Sequence, residues 1–509
     1  MKSDNDRNRT IESNNNWKNN DQEKPPKIEI PEIENTFFSF KKLWAFTGPG
    51  FLMSIAYLDP GNIESDLQSG VVAKYKLLWI LLISTILGVL VQRLCARLGV
   101  VSGCHLAELC YQYYPRIPRI ILWIMAEIAI IGSDMQEVIG TAIAIYMLSN
   151  QVVPLWGGIA ITMVDTLSIL SLDRFGLRKL EAFFAVLITI MAATFGFEYI
   201  LVAPNQKDVL QGMFIPYCED CSSDELLQAV GIVGAVIMPH NMFLHSALVK
   251  SRKIDRTDKY AIREANKYYL IETTIALLIS FIINVFVLAV FAHGLHGKTN
   301  RDVFNLCAEA DSMSHALIFK NNTHPIEADL YKAGVFLGCQ FGAAAMYIWA
   351  VGILAAGQSS TLTGTYAGQF VMEGFLNLEW PRWKRTFLTR SCAIFPTVFI
   401  AAFKGIDDLT GMNNVLNAVM TLQLPFTLIP LLTFTNNEQV MDEFKNGKIS
   451  KTIVSCLTVV VIVINVYFIQ DYVTSLEFDS FAISIVVYVG VAILCLFYVL
   501  FLIYIVSFF

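Results

Sequence analysis

GPGFLMSIAYLDPGN, at residues 48–62, and GIVGAVIMPHN, at residues 231–241, are the two stretches that decide the fold class of this chain. Each is an apolar run that meets a proline with polar residues beside it. Proline removes a backbone donor and clashes with the preceding turn, so each stretch predicts a helix that breaks and then resumes. Irregular backbone inside a bilayer is tolerated only where it lines a cavity or binds something, so the breaks mark a candidate site.

The rest of the chain has the composition of membrane helices. Its 509 residues are 55% apolar and 16% charged, against about 25% charged residues in soluble domains. Apolar runs of about 20 residues, long enough to cross the hydrocarbon layer, recur along it. They predict an all-α integral membrane protein with about 12 transmembrane helices. We place these helices near residues 44–70, 77–97, 119–149, 154–172, 180–202, 226–250, 269–294, 330–356, 386–404, 412–435, 451–470 and 480–508.

The two breaks lie in spans one and six. Interruptions at equivalent places in two halves are typical of a five-plus-five inverted repeat with its site at the bilayer midplane. We therefore predict a membrane domain at residues 41–509, which consists of one repeat at 44–202, a second at 226–435 and two additional helices at 451–508. Residues 1–40, rich in asparagine and charge, predict a disordered cytosolic tail without a cleavable signal peptide.

Charge placement predicts the orientation in the membrane. Lys and Arg gather in alternate loops, most densely at residues 250–267, and the intervening loops lean acidic. The positive-inside rule then places both termini in the cytosol. Asn321, in the acceptor pattern Asn321-Asn322-Thr323, falls in an outward loop and is a candidate glycosylation site. The basic residues form no stripe, so nothing suggests nucleic-acid binding.

Most of the 10 cysteines fall within the predicted spans, where we interpret them as small apolar side chains. Cys218 and Cys221 form a C-x-x-C pattern in an outward loop, which allows a disulfide there. Cys307 of the next outward loop is a competing partner. A zinc site at this pattern lacks further ligands.

The side chains at the breaks suit a transition metal. Asp59 and Asn62 offer oxygen, Met238 offers a thioether and His240 a nitrogen. A charged carboxylate in the bilayer costs several kcal/mol if it does nothing. Ca²⁺ and Mg²⁺ gain almost nothing from sulfur, whereas Mn²⁺ and Fe²⁺ accept it. The set therefore predicts a moderate-affinity site for such ions.

Three motifs together resemble the natural resistance-associated macrophage protein (Nramp) family of metal–proton symporters: DPGN at 59–62, MPHN at 238–241 and GQSSTLTGTYAGQ at 357–369. The resemblance covers about residues 40–435. It implies a LeuT-like fold and proton-coupled uptake of Fe²⁺ and Mn²⁺ toward the cytosol, with Co²⁺, Cd²⁺ and Zn²⁺ as further candidate substrates. It also implies no resident cofactor, no obligatory protein partner, and residence in the plasma membrane or an endosomal, phagosomal or vacuolar membrane.

The resemblance also implies specific ligands. These are the side chains of Asp59, Asn62 and Met238, and the backbone carbonyl of Ala235. In span ten the family places an amide near the metal. We choose Asn417 for it, with Asn414 and Gln423 as rivals.

Proton coupling needs groups that change protonation as the site fills. Burial favours the neutral form of Asp59 and an arriving dication favours its ionised form, so metal binding would expel a proton. Asp134 and Glu137 share one face of span three and match the family's proton route. Their alternative interpretation is a structural ion pair with Arg390, and both roles can hold together.

His240 can titrate near neutral pH, so we favour a proton or gating role for it over ligation, and His245 is a weaker candidate. Glu127, Asp165 and Glu272 are interpreted as structural acids. The motif at 357–369 is placed in a cytosolic loop after span eight, where its Gly, Ser and Thr content suggests gating or structural work.

A sodium-coupled amino-acid permease on the same fold is the alternative. Asp59 and Met238 argue against it, because an amino-acid site keeps its helix termini open for the substrate carboxylate. We expect no enzyme activity, since H-E-x-x-H, G-x-S-x-G and P-loop patterns are absent from the sequence.

Overall fold

The computed structural model describes residues 28–31, 38–172, 177–218, 221–310, 313–378, 380–403, 406–475 and 481–507. Its first part contains α1 (Phe40–Phe46), α2 (Pro49–Ala56), α3 (Pro60–Ala73), α4 (Leu78–Ser102), α5 (Leu106–Tyr113), α6 (Arg116–Leu148), α7 (Leu155–Leu172), α8 (Leu177–Val202) and α9 (Gln206–Phe214). Its second part contains α10 (Ser223–Val236), α11 (Pro239–Leu248), α12 (Lys259–Gly294), α13 (Asn300–Glu309), α14 (Met313–Ala316), α15 (Leu330–Phe341), α16 (Ala343–Leu376), α17 (Arg382–Phe403), α18 (Ile406–Asn436), α19 (Glu438–Met441), α20 (Lys448–Ser475) and α21 (Phe481–Ser507).

Both predicted breaks are present. Span one is divided into α2 and α3, and span six into α10 and α11. Within the described ranges, 9 helical stretches are long and apolar enough to cross a membrane, one of which contains the second break. Helices overlap all the predicted spans, but the divided span one, α7 and α17 are not among those stretches. The number of twelve crossings therefore stays a prediction.

The predicted bounds of span eight, residues 330–356, are wrong. A helix ends at Phe341, Gly342 adopts a left-handed φ of 94°, and α16 then continues to Leu376. The motif at 357–369 is thus helical, not a loop. Its small residues let α16 pack closely on α6: a Cβ at Gly364 would lie 2.7 Å from Asp134 Oδ1, and one at Gly357 would clash with Thr141. Gly, Ser and Thr are the residues that membrane helices use for such contacts.

The predicted disordered tail falls mainly on residues 1–27 and 32–37, which lie outside the described residues. Residues 28–31 contact the membrane domain. Ile28 exchanges backbone hydrogen bonds of 3.0 Å with Ser251 and Lys253, in the loop that follows α11. Farther along, Lys42 of α1 forms a 2.6 Å ion pair with Glu264 of α12.

Two disulfides join cysteines on the predicted outward side. Cys218 pairs with Cys221, as the sequence pattern allowed. Cys307 pairs instead with Cys339 of α15, so the interpretation of Cys339 as a small apolar side chain within a span is wrong. The reason is the short α15, which brings Cys339 beside α13 of the outward loop.

We expect Gly357→Ala to destabilise the protein by about 1–3 kcal/mol, because the added methyl forces α16 away from α6. The measurement is thermal unfolding of the purified protein in detergent. Gly490→Ala is the matched control, since Gly490 also lies in a long apolar helix but has nothing within 4 Å of an added Cβ. Equal melting temperatures for the two variants would contradict the close packing of α16.

Candidate metal site between the broken helices

Asp59 occupies the point where span one resumes. It is the N-cap of α3, and its Oδ1 accepts hydrogen bonds from Asn62 N at 2.7 Å and from Asn62 Nδ2 at 2.9 Å. Pro60 takes the first helical position, where no N–H is needed. The sequence D-P-G-N therefore starts a helix and at the same time holds a carboxylate and an amide side by side.

The second break has the same construction with different chemistry. The helix α10 ends at Val236, Met238 is the N-cap of α11 in an extended conformation, and Pro239 is again the first helical residue. The last turn of α10, which contains Ala235, ends with carbonyls that have no partner farther along the helix. A thioether and free carbonyl oxygens thus occupy one short segment.

The two breaks lie side by side. The helix α3 packs along α10, and α2 packs against α11. Asn241 Nδ2 lies 3.5 Å from the carbonyl oxygen of Ala56, which links one break to the other. Asn284 of α12 donates to the Tyr57 carbonyl at 3.1 Å. Side-chain amides therefore pair backbone oxygens that the interruption releases.

Span ten approaches the same place through Asn417. A Cβ on Gly234 would lie 2.7 Å from the Asn417 carbonyl oxygen, so α18 passes directly behind the end of α10. Asn417 Oδ1 accepts a hydrogen bond of 2.7 Å from Gln136 Nε2. Of the rivals, Gln423 is buried with an unpaired Oε1, and the side chain of Asn414 lies outside the described residues.

Gln136 is a residue that the sequence reasoning missed. It lies on α6 between Asp134 and Glu137, contacts Asn417, and sits against Gly61 of the first break, where a Cβ would meet its amide. The sequence signal that could have identified Gln136 is a side-chain amide in a largely apolar membrane helix. Gln136 thus connects span three both with the first break and with Asn417 of span ten.

The five candidate ligand residues are all buried, with at most 2% of their surface exposed: Asp59, Asn62, Ala235, Met238 and Asn417. Asn62 Oδ1 has no hydrogen-bond partner. Across the described part of the chain, no three His, Cys, Asp or Glu side chains gather in a way that could hold a metal. A metal ion here would depend on a mixed set of carboxylate, amide, carbonyl and thioether atoms.

The acids of span three form a buried ion cluster. Arg390 of α17 binds Glu137 through two hydrogen bonds of 2.8 and 2.9 Å, and its Nη2 lies 3.7 Å from Asp134 Oδ1. Thr361 of the 357–369 motif also donates to Glu137. The predicted ion pair with Arg390 is therefore present. Thr361 connects the 357–369 motif to it through Glu137.

Glu127, Asp165 and Glu272, the acids interpreted as structural, have partners of their own. Glu127 lies 3.4 Å from Arg385, and the Asp165 carboxylate interacts with the side chain of Gln358. Glu272 accepts hydrogen bonds from the backbone N–H groups of Gly48 and Gly50, at the start of α2. These contacts agree with the structural interpretation of the three acids.

The two histidines differ in their surroundings. His240 is buried beside the second break, and its Nδ1 has no hydrogen-bond partner. His245 Nδ1 lies 2.9 Å from Gln92 Oε1, and Gln92 in turn donates to the Tyr57 hydroxyl at 3.3 Å. His245 is thus connected to the first break through Gln92, a second amide that the sequence reasoning missed.

A family model described as natural resistance-associated macrophage protein-like matches residues 50–471. The chain belongs to the Nramp family. It is 62% identical over 486 residues to Protein Malvolio of Drosophila melanogaster, covering 94% of this chain and 81% of the relative. It is also 62% identical over 450 residues to natural resistance-associated macrophage protein 2 of Homo sapiens, covering 88% of this chain and 79% of the relative.

Solved structures agree on the Nramp fold. The manganese transporter of Eremococcus coleocola, in complex with an aromatic bis-isothiourea substituted compound, matches with a TM-score of 0.81 and 30% identity, covering 96% of this chain and 99% of that chain. A nucleobase-cation-symport-1 family transporter matches with a TM-score of 0.51 and 11% identity, over 76% of this chain and 78% of that chain. The second likeness concerns the fold alone, which is LeuT-like as predicted.

We expect Arg390→Gln to destabilise this Nramp protein by about 3–5 kcal/mol, because it leaves buried carboxylates without a counter-charge. Adding Glu137→Gln to Arg390→Gln should recover part of the loss. Thermal unfolding in detergent measures both effects. Arg263→Gln, which removes an exposed ion pair with Glu443, is the control and should cost at most about 1 kcal/mol. Simple additivity of the two buried substitutions would contradict the pairing.

Proposed function

We propose that this chain is a symporter that carries Mn²⁺ and Fe²⁺, together with protons, from the outer side of a membrane into the cytosol. The observation that carries the proposal is the adjacency of the two helix breaks, one bearing Asp59 and Asn62 and the other Met238. Membership of the Nramp family and likeness to a manganese transporter support it. Metal ions and protons are substrates here, and no resident cofactor is part of the proposal.

The donor set supports a choice among metals. Asp59 supplies one negative charge, Asn62 and Asn417 supply amide oxygens, and the Ala235 carbonyl adds a further oxygen. Met238 supplies a thioether, which Mn²⁺, Fe²⁺, Co²⁺ and Cd²⁺ accept and Ca²⁺ and Mg²⁺ do not. One charge and several neutral donors give moderate affinity, which a carrier needs in order to release its cargo.

The buried acids support proton coupling. A dication that binds at Asp59 favours the ionised carboxylate, so a proton must leave when the metal arrives. Asp134 and Glu137 lie on one face of α6 and pair with Arg390. They are the next groups that could accept this proton. The buried His240, two residues after Met238, is a further titratable group at the second break. His245, connected through Gln92, is the weaker candidate for a place on the same proton pathway.

Several features support the proposed orientation, with both termini in the cytosol. Cys218, Cys221 and Cys307 fall in loops that the positive-inside rule places outside, where the compartment is oxidising, and all three are in disulfides, Cys307 with Cys339 of α15. Asn321 is exposed on the same side, as a glycosylation acceptor must be. The host membrane is the plasma membrane or that of an endosome, phagosome or vacuole.

We expect Asp59→Ala to abolish Mn²⁺ and Fe²⁺ uptake into proteoliposomes, because the only charged donor of the site is removed. Uptake by the unchanged protein should rise when the outside is made acidic, since protons enter with the metal. Glu309→Ala, which removes an exposed acid of the outward loop, is the control for loss of a negative charge. Metal uptake that survives Asp59→Ala would refute the site, and sodium-driven amino-acid uptake would favour the permease alternative.

We expect Met238→Ala to admit Ca²⁺, because loss of the thioether removes the donor that discriminates against hard ions. The measurement is ⁴⁵Ca²⁺ uptake beside Mn²⁺ uptake. Met242→Ala is the matched control: this methionine is also buried, one turn farther along α11, and is not among the proposed ligands. If both variants exclude Ca²⁺ as the unchanged protein does, sulfur does not select the ion.

A further inference from the structure

The outward half of span one, α3, carries polar side chains on one face beyond the candidate metal site. Asp59, Asn62, Asp66 and Ser69 are spaced by three, four and three residues, so they follow one another along a single face of the helix. All four are at most 2% exposed. A buried polar row in a membrane helix is costly unless it serves a function.

Asp66 is the unexplained member of this row. Among the residues that the structure describes, it has no ion-pair or hydrogen-bond partner, and its buried Oδ2 is unsatisfied. The hydroxyl groups of Ser65 and Ser69 beside it are also unsatisfied. A buried carboxylate without a partner costs several kcal/mol when ionised. No contact within the fold therefore accounts for a carboxylate at position 66.

Glu64 of the same helix shows the contrast. Its Oε1 accepts a hydrogen bond from Gln68 and its Oε2 accepts one from the Leu330 N–H, both at 3.0 Å. Glu64 thus joins α3 to the start of α15 and is satisfied without a ligand. Glu64 and Asp66 are only two residues apart, yet Glu64 forms hydrogen bonds within the fold and Asp66 forms none among the described residues.

The position of Asp66 relates it to the metal site. Seven helical residues place it about 10 Å outward from Asp59, and the two carboxylates are near enough to interact electrostatically. The adjoining helix α10 has a glycine here: a Cβ on Gly231 would be 3.5 Å from Ser65 Oγ. An added Cβ at Gly231 would make ordinary van der Waals contact, so the space beside Ser65 on the α10 side admits about one methyl group.

We propose that Asp66, with the hydroxyl groups of Ser65 and Ser69, forms a second cation site that receives the partly hydrated divalent ion before it reaches Asp59. The inference rests on the proposed function. The donors are all oxygen, so the outer site does not distinguish Mn²⁺ from Ca²⁺. Capture without selection occurs at Asp66, and selection follows at Met238.

The kinetic test compares Asp66→Asn with Glu64→Gln, a matched acid-to-amide change on the same helix. We expect Asp66→Asn to raise the KM for Mn²⁺ uptake about tenfold, because a carboxylate that concentrates the cation is lost, with the maximal rate nearly unchanged. External Ca²⁺ should also inhibit Mn²⁺ uptake less in this variant. Glu64→Gln should leave both quantities near those of the unchanged protein. Equal effects of the two variants, or an unchanged KM in Asp66→Asn, would overturn the proposal.

A binding measurement separates this inference from the proposed function. Calorimetry with Mn²⁺ on purified Asp59→Ala should show one residual weak site, and Asp59→Ala/Asp66→Asn should show none. Absence of residual binding in Asp59→Ala overturns the outer site while leaving the transport proposal intact. Uptake that survives Asp59→Ala would instead overturn the transport proposal. If Asp66→Asn does not fold, Ser65→Ala/Ser69→Ala takes its place, with an expected rise in KM of about threefold.

Discussion

A backbone polar group inside a bilayer must find a hydrogen-bond partner within the protein, because lipid offers none. Two membrane helices of the chain are interrupted side by side, and side chains supply partners for the backbone groups that the interruptions release. Asp59 caps the resumed helix, Asn284 pairs the Tyr57 carbonyl, and Asn241 reaches from one break to the carbonyl of Ala56 in the other. The oxygens that remain unpaired are the ones available to an ion.

The buried acids of this Nramp protein differ in their partners. Arg390 neutralises Glu137 through a bidentate pair of hydrogen bonds. Glu272 is satisfied by the N–H groups at the start of α2, where the helix dipole favours a negative charge. Asp59 has only neutral donors, and Asp66 has none among the described residues. Asp59 and Asp66, both on α3, thus have no cation beside them among the described residues, and Asp59 belongs to the candidate metal site.

Small residues set how closely the helices approach. The Gly-, Ser- and Thr-rich stretch at 357–369 places α16 against α6, and the hydroxyl of Thr361 then reaches Glu137. The same stretch was interpreted from its composition as a loop, because glycine and serine are also frequent in loops. In a membrane helix these residues permit close packing, and composition alone does not distinguish the two uses.

The membrane class, the two breaks and the residues at them follow from the sequence alone, because proline, glycine and a lone carboxylate in an apolar run have local physical consequences. The sequence also indicated Asp134, Glu137 and Arg390 as one group. Pairings across helices are visible only in the folded chain: Gln136 with Asn417, Gln92 with His245, Thr361 with Glu137, and the disulfide of Cys307 with Cys339. Such pairings depend on helix crossing angles and on the depth of each residue, and neither is encoded in any single stretch of the chain.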